Sequence, residues 1–152
     1  MLRAILTYRC PRAIVNADNP LAKEYAPAAA LAAHMQDPAG DRQTWEESML
    51  LLVAANASSY GGGMKIAPQA RMDDGRMDIV AVRRMNRFKL LRCFPEVFSG
   101  AHLRREEVNF LRCTQAHIEA DRPLEIFADG EFAGHTPVDI TVFPGALRAI
   151  AP

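Results

Sequence analysis

The sequence is poor in the features that usually announce a function. It has three cysteines, Cys10, Cys93 and Cys113, in 152 residues. An odd, widely spaced set fits neither a disulfide scaffold nor a metal knuckle, so free thiols in a reducing cytoplasm are expected. The four histidines, His34, His102, His117 and His135, lack zinc spacing too. No apolar run approaches the ~18 residues of a membrane span, because Leu50 to Ala55 soon meets polar and glycine residues. Eighteen basic and eighteen acidic side chains leave no net charge, which argues against a general nucleic-acid binder. Met1 to Arg12 threads Arg3, Arg9 and Arg12 through a short apolar run with no clear cleavage site, a weak match to a signal peptide. There is no internal repeat and no low-complexity tract.

What is there describes an ordinary globular chain. Apolar residues make up 49% and charged residues 24%, values of a single folded domain rather than a disordered one. The charge is segregated. Arg83 to Arg112 carries eight basic against three acidic residues, whereas the stretches before and after are net −1 and −4. A basic middle suits a phosphate or an anionic lipid surface, and equally suits a solvated arginine-rich face.

Periodicity divides the chain into two styles. Leu21 to Met35 is alanine-rich with Leu31 and Met35 four apart, and predicts a helix despite Pro27. The stretch Asp37-Pro38-Ala39-Gly40 ends it. From Thr44 short β-like runs follow: Ser48 to Ala55, Met64 to Ala67, Met77 to Val82, Val108 to Leu111, Ala116 to Ala120, Leu124 to Ala128, Val138 to Phe143 and Leu147 to Ala151. Phe88, Leu91, Phe94 and Val97 recur every three residues and predict a short helical insertion broken near Pro95. The expected fold is mainly β (α+β), a β-sandwich of many short antiparallel strands with an N-terminal helix and that helical insertion.

Three constellations can carry chemistry. Tyr60-Gly61-Gly62-Gly63-Met64-Lys65 has the glycines of a phosphate cradle but not the P-loop spacing, so a glycine bend is expected. Arg71-Met72-Asp73-Asp74-Gly75-Arg76 reads as a turn into a strand. It can be a solvated turn, or it can aim a carboxylate and carbonyl oxygens at one point, as Mg²⁺ prefers. Asp129-Gly130 between apolar runs predicts a hairpin that starts its returning strand at Glu131. A carboxylate so placed can be a general base or an exposed strand residue.

The order of these motifs resembles a known family. Asn56, Tyr60-Gly61-Gly62-Gly63, Ile66-Ala67-Pro68, Asp73-Asp74-Gly75 with Asp78, Phe98-Ser99-Gly100-Ala101-His102, Asp129-Gly130-Glu131, Thr136-Pro137 and Val142-Phe143-Pro144-Gly145-Ala146-Leu147 occur in the order found in the C-terminal domain of the diacylglycerol kinase and sphingosine kinase family of lipid kinases. The resemblance covers residues 44–152, and residues 1–43 form a poorly matched N-terminal segment. It implies a β-sandwich that helps form a lipid cleft, beside a separate N-terminal domain whose Gly-Gly-Asp-Gly-Thr loop binds ATP. It also implies that Glu131 is the base and that Asp74, with the carbonyls of Arg71 and Arg76, holds a structural Mg²⁺.

Gly-Gly-Asp-Gly-Thr does not occur in these 152 residues. The chain is therefore expected to be a fragment, split product or degenerate paralogue of a lipid kinase, inactive by itself. Expected partners are a lipid alcohol, a separate nucleotide-binding domain and an anionic membrane surface, with no nucleic acid. The expected place is the cytoplasm, peripheral at the membrane. A non-catalytic lipid-binding module and a ligand-free remnant are the rival readings.

Overall fold

The computed structural model describes residues 2–5, 13–16 and 29–146, with side chains from residue 30 onward. Ten strands dominate: β1 (Leu2–Ile5), β2 (Ala13–Asn16), β3 (Ala29–Gln36), β4 (Arg42–Ala55), β5 (Met77–Arg83), β6 (Val108–Cys113), β7 (Gln115–Ala120), β8 (Glu125–Ala128), β9 (Glu131–His135) and β10 (Val138–Thr141). Between β5 and β6 lie two short helices, α1 (Arg87–Cys93) and α2 (Glu96–Ser99), and a 3-10 turn, Ala101–Arg104. The pairing is antiparallel except for β1 with β10.

The strands form two layers that share β4. Its first half pairs with β3, which continues to β7, β10 and β1. Its second half lies between β5 and β2, which lead to β6 on one side and to β8 and β9 on the other. A register shift between Met49 and Leu51 marks the crossing point. Composition follows position. Arg42 to Ser48 is almost wholly exposed, whereas Leu52 to Ala55 is buried at every residue and so on both faces of the strand.

Two apolar clusters result. Leu31, Leu52, Ile79, Ile118, Ile126 and Ile140 meet between the layers. Val53, Ile66, Ala67, Val80 and Val108 form a second core on the opposite face, roofed by Val97 and Leu103 of the helical insertion. Because β5 lies between both cores, Met77 to Val82 is buried throughout, and apart from Asp78 its sequence is apolar instead of alternating.

Two expected elements are corrected. The part of the expected helix over Leu21 to Met35 that falls within the described residues is strand β3. Leu31, Ala33 and Met35 are buried and Ala30 and His34 exposed, a period of two. Alanine is a strong helix former, but propensity is a weak determinant that tertiary pairing overrides. Here both edges of the segment are taken, by β4 and by β7, and the small side chains fit a crowded interior. Residues 21–28 lie outside the described residues.

Met64 to Ala67 is not a strand either. Tyr60 and Met64 exchange backbone bonds of 2.9 Å across the glycine bend, where Gly61, Gly62 and Gly63 all have positive φ. The groups a strand partner would have taken go elsewhere. The Lys65 amide donates to the Val97 carbonyl at 2.9 Å, and His102 Nε2 lies 3.0 Å from the Ile66 carbonyl. The glycine bend, the helical insertion broken at Pro95 and the remaining described runs stand as expected. Leu147 to Ala151 lies outside the described residues.

Ala30 and Ala33 test the strand directly, because they would share a face on a helix and lie on opposite faces here. Ala33→Leu should lower unfolding free energy by about 1–3 kcal/mol through overpacking. Ala30→Leu should change it by less than ~0.5 kcal/mol. Urea denaturation of the two variants reads the difference, and equal effects would contradict the strand.

Candidate functional site

The hairpin that carries Glu131 is built by its turn. Asp129 has φ 51° and Gly130 φ 90°, the two positive values a tight type I′ connection needs. Glu131 therefore opens β9 opposite Ala128, with its side chain exposed and in no ion pair with a described residue. Next to it Phe132 packs edge-on against Phe127 (6.1 Å) and His135 (5.2 Å). A pairing irregularity follows between Ile126 and Phe127. A carboxylate held at a rigid turn, with no counter-ion among the described residues, can accept a proton.

The Asp74 loop is held from several sides. Asp74 Oδ1 accepts the Arg76 amide at 3.0 Å, closing a tight turn. Arg71 is engaged by Asp73 through two contacts of 3.1 and 3.2 Å, which holds the Arg71 guanidinium on Asp73. Gly75 has φ 69°, and a Cβ there would sit 3.0 Å from Pro144 Cγ. The Asp-Gly turn thus packs tightly against the Phe143-Pro144 segment. A cavity of about 110 Å³ lies between them, bordered by Asn56, Asp73, Gly75, Arg76 and Phe143. Asn56 Oδ1 is buried without a hydrogen-bond partner. Carboxylate and carbonyl oxygens of this kind are the ligand types a hard cation takes.

Beneath the loop Asp78 is 2% exposed. Arg112 donates to its Oδ1 at 2.9 Å and to the Gln69 carbonyl at 2.9 Å, tying β5, β6 and the loop together. Burial nevertheless holds the Asp78 carboxyl above its usual range, outweighing the pull of Arg112. Cys113, next to Arg112 in sequence, is a buried thiol pushed up to about 12 by burial, far from the range of a reactive thiolate.

Strand register relates the two candidate centres. Ile79, Ala54, Ala13, Ala128 and Glu131 form one row across β5, β4, β2, β8 and β9. Glu131 and the Asp74 loop therefore share one end of the sheet. Four inter-strand spacings, about 19 Å along the sheet, separate their strands. The fold gathers Arg71, Asp74 and Arg76 in one loop and keeps Glu131 apart from them.

Local motifs gave no sign of a third feature. On the outer face of β3, β7 and β10, His34 and His117 stack with centroids 6.1 Å apart. His117 Nδ1 lies 2.7 Å from Asp139, and His34 Nδ1 3.1 Å from Thr44 Oγ1. They border an open groove of about 810 Å³. The only sequence signal was a polar residue at alternate positions of three strands, and it gains meaning only through the pairing. Among the described residues no three His, Cys, Asp or Glu side chains converge as a metal site.

The two-layer sandwich is the fold of a β-sandwich domain class that lies C-terminal in its parent proteins. The chain belongs to the family described as the YegS C-terminal NAD kinase beta sandwich-like domain, whose model matches residues 2–151. It is 41% identical over 97 residues to a diacylglycerol kinase of Mycobacterium tuberculosis, covering 64% of this chain and 31% of that protein. A YegS-like lipid kinase of Chromohalobacter salexigens is 27% identical over 115 residues, 76% of this chain and 36% of that protein. Solved Bacillus anthracis structures described as diacylglycerol kinases share the fold. One gives a TM-score of 0.64 at 20% identity over 90% of this chain and 51% of that one; another gives 0.55 at 15% over 91% and 51%. The chain spans about a third of the length of the curated relatives it matches.

Arg112→Leu should leave Asp78 buried without its partner and cost about 2–3 kcal/mol, below the full range for a buried pair because Arg112 is partly exposed. The loss should be largest near neutral pH. A raised carboxyl favours folding once protonated, so the deficit should shrink as pH falls through the raised value. Below the ordinary carboxylate range both states are protonated and the curve flattens. Denaturant titrations across pH check this, and Asp78→Asn in the Arg112→Leu background should restore part of the loss.

Proposed function

We propose that this chain is the lipid-side, base-supplying part of an ATP-dependent lipid kinase acting on a lipid alcohol of diacylglycerol or sphingoid type. The observation that carries the reading is Glu131, an exposed carboxylate on a fixed turn, in a domain whose relatives are named as diacylglycerol and lipid kinases. Glu131 takes the hydroxyl proton of the lipid as that oxygen bonds to the γ-phosphorus of ATP. The bond from the γ-phosphorus to the β,γ-bridging oxygen breaks and ADP leaves. Phosphoryl transfer depends on positioning and charge neutralisation, so a nucleotide-binding domain is the partner that presents ATP.

Asp74, with carbonyls of Arg71 and Arg76, is the set that would hold Mg²⁺. One protein carboxylate with carbonyls and waters suits an ion that keeps much of its hydration. Bound there, Mg²⁺ supplies local positive charge and stiffens the loop that packs on Pro144.

Thermal unfolding tests the cation set without any turnover. The midpoint should rise with Mg²⁺ concentration by mass action in the parent chain. It should not respond in Asp74→Ala, and an equal response in both would remove Asp74 from the set.

Activity is tested by joining the 152-residue chain to the nucleotide-binding domain of a diacylglycerol kinase and supplying ATP, Mg²⁺ and micellar lipid. The chain alone should not turn over. In the chimera Glu131→Gln should lower turnover about 10²–10⁴-fold, the worth of a positioned general base. Its unfolding midpoint should stay unchanged, because the side chain is exposed. Equal turnover by both forms would make Glu131 a plain strand residue. A chimera that binds lipid and never turns over would make the chain a lipid-binding module.

A further inference from the structure

The helical insertion is amphipathic in an unusual sense. Its inner side is anchored by Cys93, Val97 and Leu103 over the second core. Its outer side is apolar as well: Phe88 is 86% exposed, Leu91 73%, Phe94 54% and Phe98 47%. At 100° per residue, Phe88 and Leu91 fall within about 40° of the direction opposite Cys93 on α1, with Arg87 and Arg92 on either flank. The helix is set firmly for its length. The Asn86 side chain caps it by accepting the Lys89 amide at 2.8 Å, and Phe94 and Phe98 lock α1 to α2 edge-to-face at 6.0 Å. Contiguous exposed apolar surface of this kind marks a contact site.

Charge says what the contact is. Arg83, Lys89, Arg105 and Arg112 are neutralised by Glu47, Glu107, Glu96 and Asp78. Arg84, Arg92 and Arg104, all exposed and in the same stretch of chain as the apolar stripe, make no ion pair with a described residue. The stretch from residue 83 to 112 is also net basic, whereas the stretches before and after it are net acidic. Protruding Phe and Leu ringed by unneutralised arginine match an interface with an apolar interior beneath an anionic surface. A hydrophobic protein partner would account for the phenylalanines and leave the arginines unexplained.

We infer that α1–α2 is a membrane-docking element, on which Phe88 and Leu91 enter the headgroup boundary of an anionic leaflet while Arg84 and Arg92 contact its phosphates. The inference extends the lipid-kinase reading by naming the element through which the domain meets its lipid, and it rests on that reading for its purpose. The docking itself stands on the patch and its charge.

The test sediments the 152-residue chain with vesicles of phosphatidylcholine alone and of equimolar phosphatidylcholine and phosphatidylglycerol. The parent should partition onto the mixed vesicles, less so as salt rises. Phe88→Ser with Leu91→Ser should weaken partition at least about tenfold on both vesicles, since two apolar side chains lose their burial. Arg84→Gln with Arg92→Gln should weaken it about fivefold per charge on the mixed vesicles and leave the phosphatidylcholine value unchanged. All four side chains are exposed, so unfolding midpoints should stay at the parent value.

Absence of binding to either vesicle, or equal partition by parent and variants, overturns the inference. So does a patch that binds no vesicle yet becomes shielded when the nucleotide-binding domain is added, which would make it an interdomain face. Neither vesicle holds ATP, a diacylglycerol or a sphingoid base. Failure here therefore leaves the kinase reading intact, and failure of the Glu131 chimera leaves this one intact.

Discussion

Everything in this domain depends on the second half of β4. From Leu51 to Ala54 it is hydrogen-bonded on both edges, to β2 and to β5. Its buried residues face two different cores at once, Leu52 and Ala54 into one and Val53 and Ala55 into the other. A segment so enclosed has no polar escape for its backbone, so both ladders must form together. The helical layer, the Asp74 loop and the Glu131 hairpin are all placed relative to this one stretch.

The motifs of the sequence are joined in space more than their linear order suggests. Pro68 of one motif lies where a Cβ on Gly100 of another would clash, 3.0 Å away. His102 reaches back to the Ile66 carbonyl, and Pro144 presses on the Asp-Gly turn. Many of the family-specific residues are therefore mutual packing partners that set loop shape. The proposed chemistry asks far less of the chain: the carboxylates of Asp74 and Glu131 and the carbonyls near the first.

Legibility in the sequence followed locality. Met77 to Val82 is legible because a strand buried on both faces is apolar at nearly every position, Asp78 being the exception, and Asp129-Gly130 because a tight turn favours those residues. β3 was misread because alanine has little shape of its own and takes the conformation its neighbours impose. The polar half of β4 from Arg42 to Ser48 gave no signal, since neither face is buried there. The site divides in the same way. Its two Asp-Gly turns were visible locally. The Asp78–Arg112 clamp joins residues 34 apart, and the His34–His117 pair exists only through strand register, so neither could be seen in the linear sequence.

The row of residues running from Ile79 through Ala54, Ala13 and Ala128 to Glu131 has a mechanical meaning. Each link is a ladder of backbone hydrogen bonds, among the stiffest connections a protein makes, and three of its members are alanines, whose side chains add little bulk. The row behaves as a ruler that holds the Glu131 hairpin and the Asp74 loop at a set separation. On the lipid-kinase reading, such a frame cannot close around a nucleotide by bending. The sandwich is the anvil, and whatever brings the phosphate donor to Glu131 has to be the part that moves.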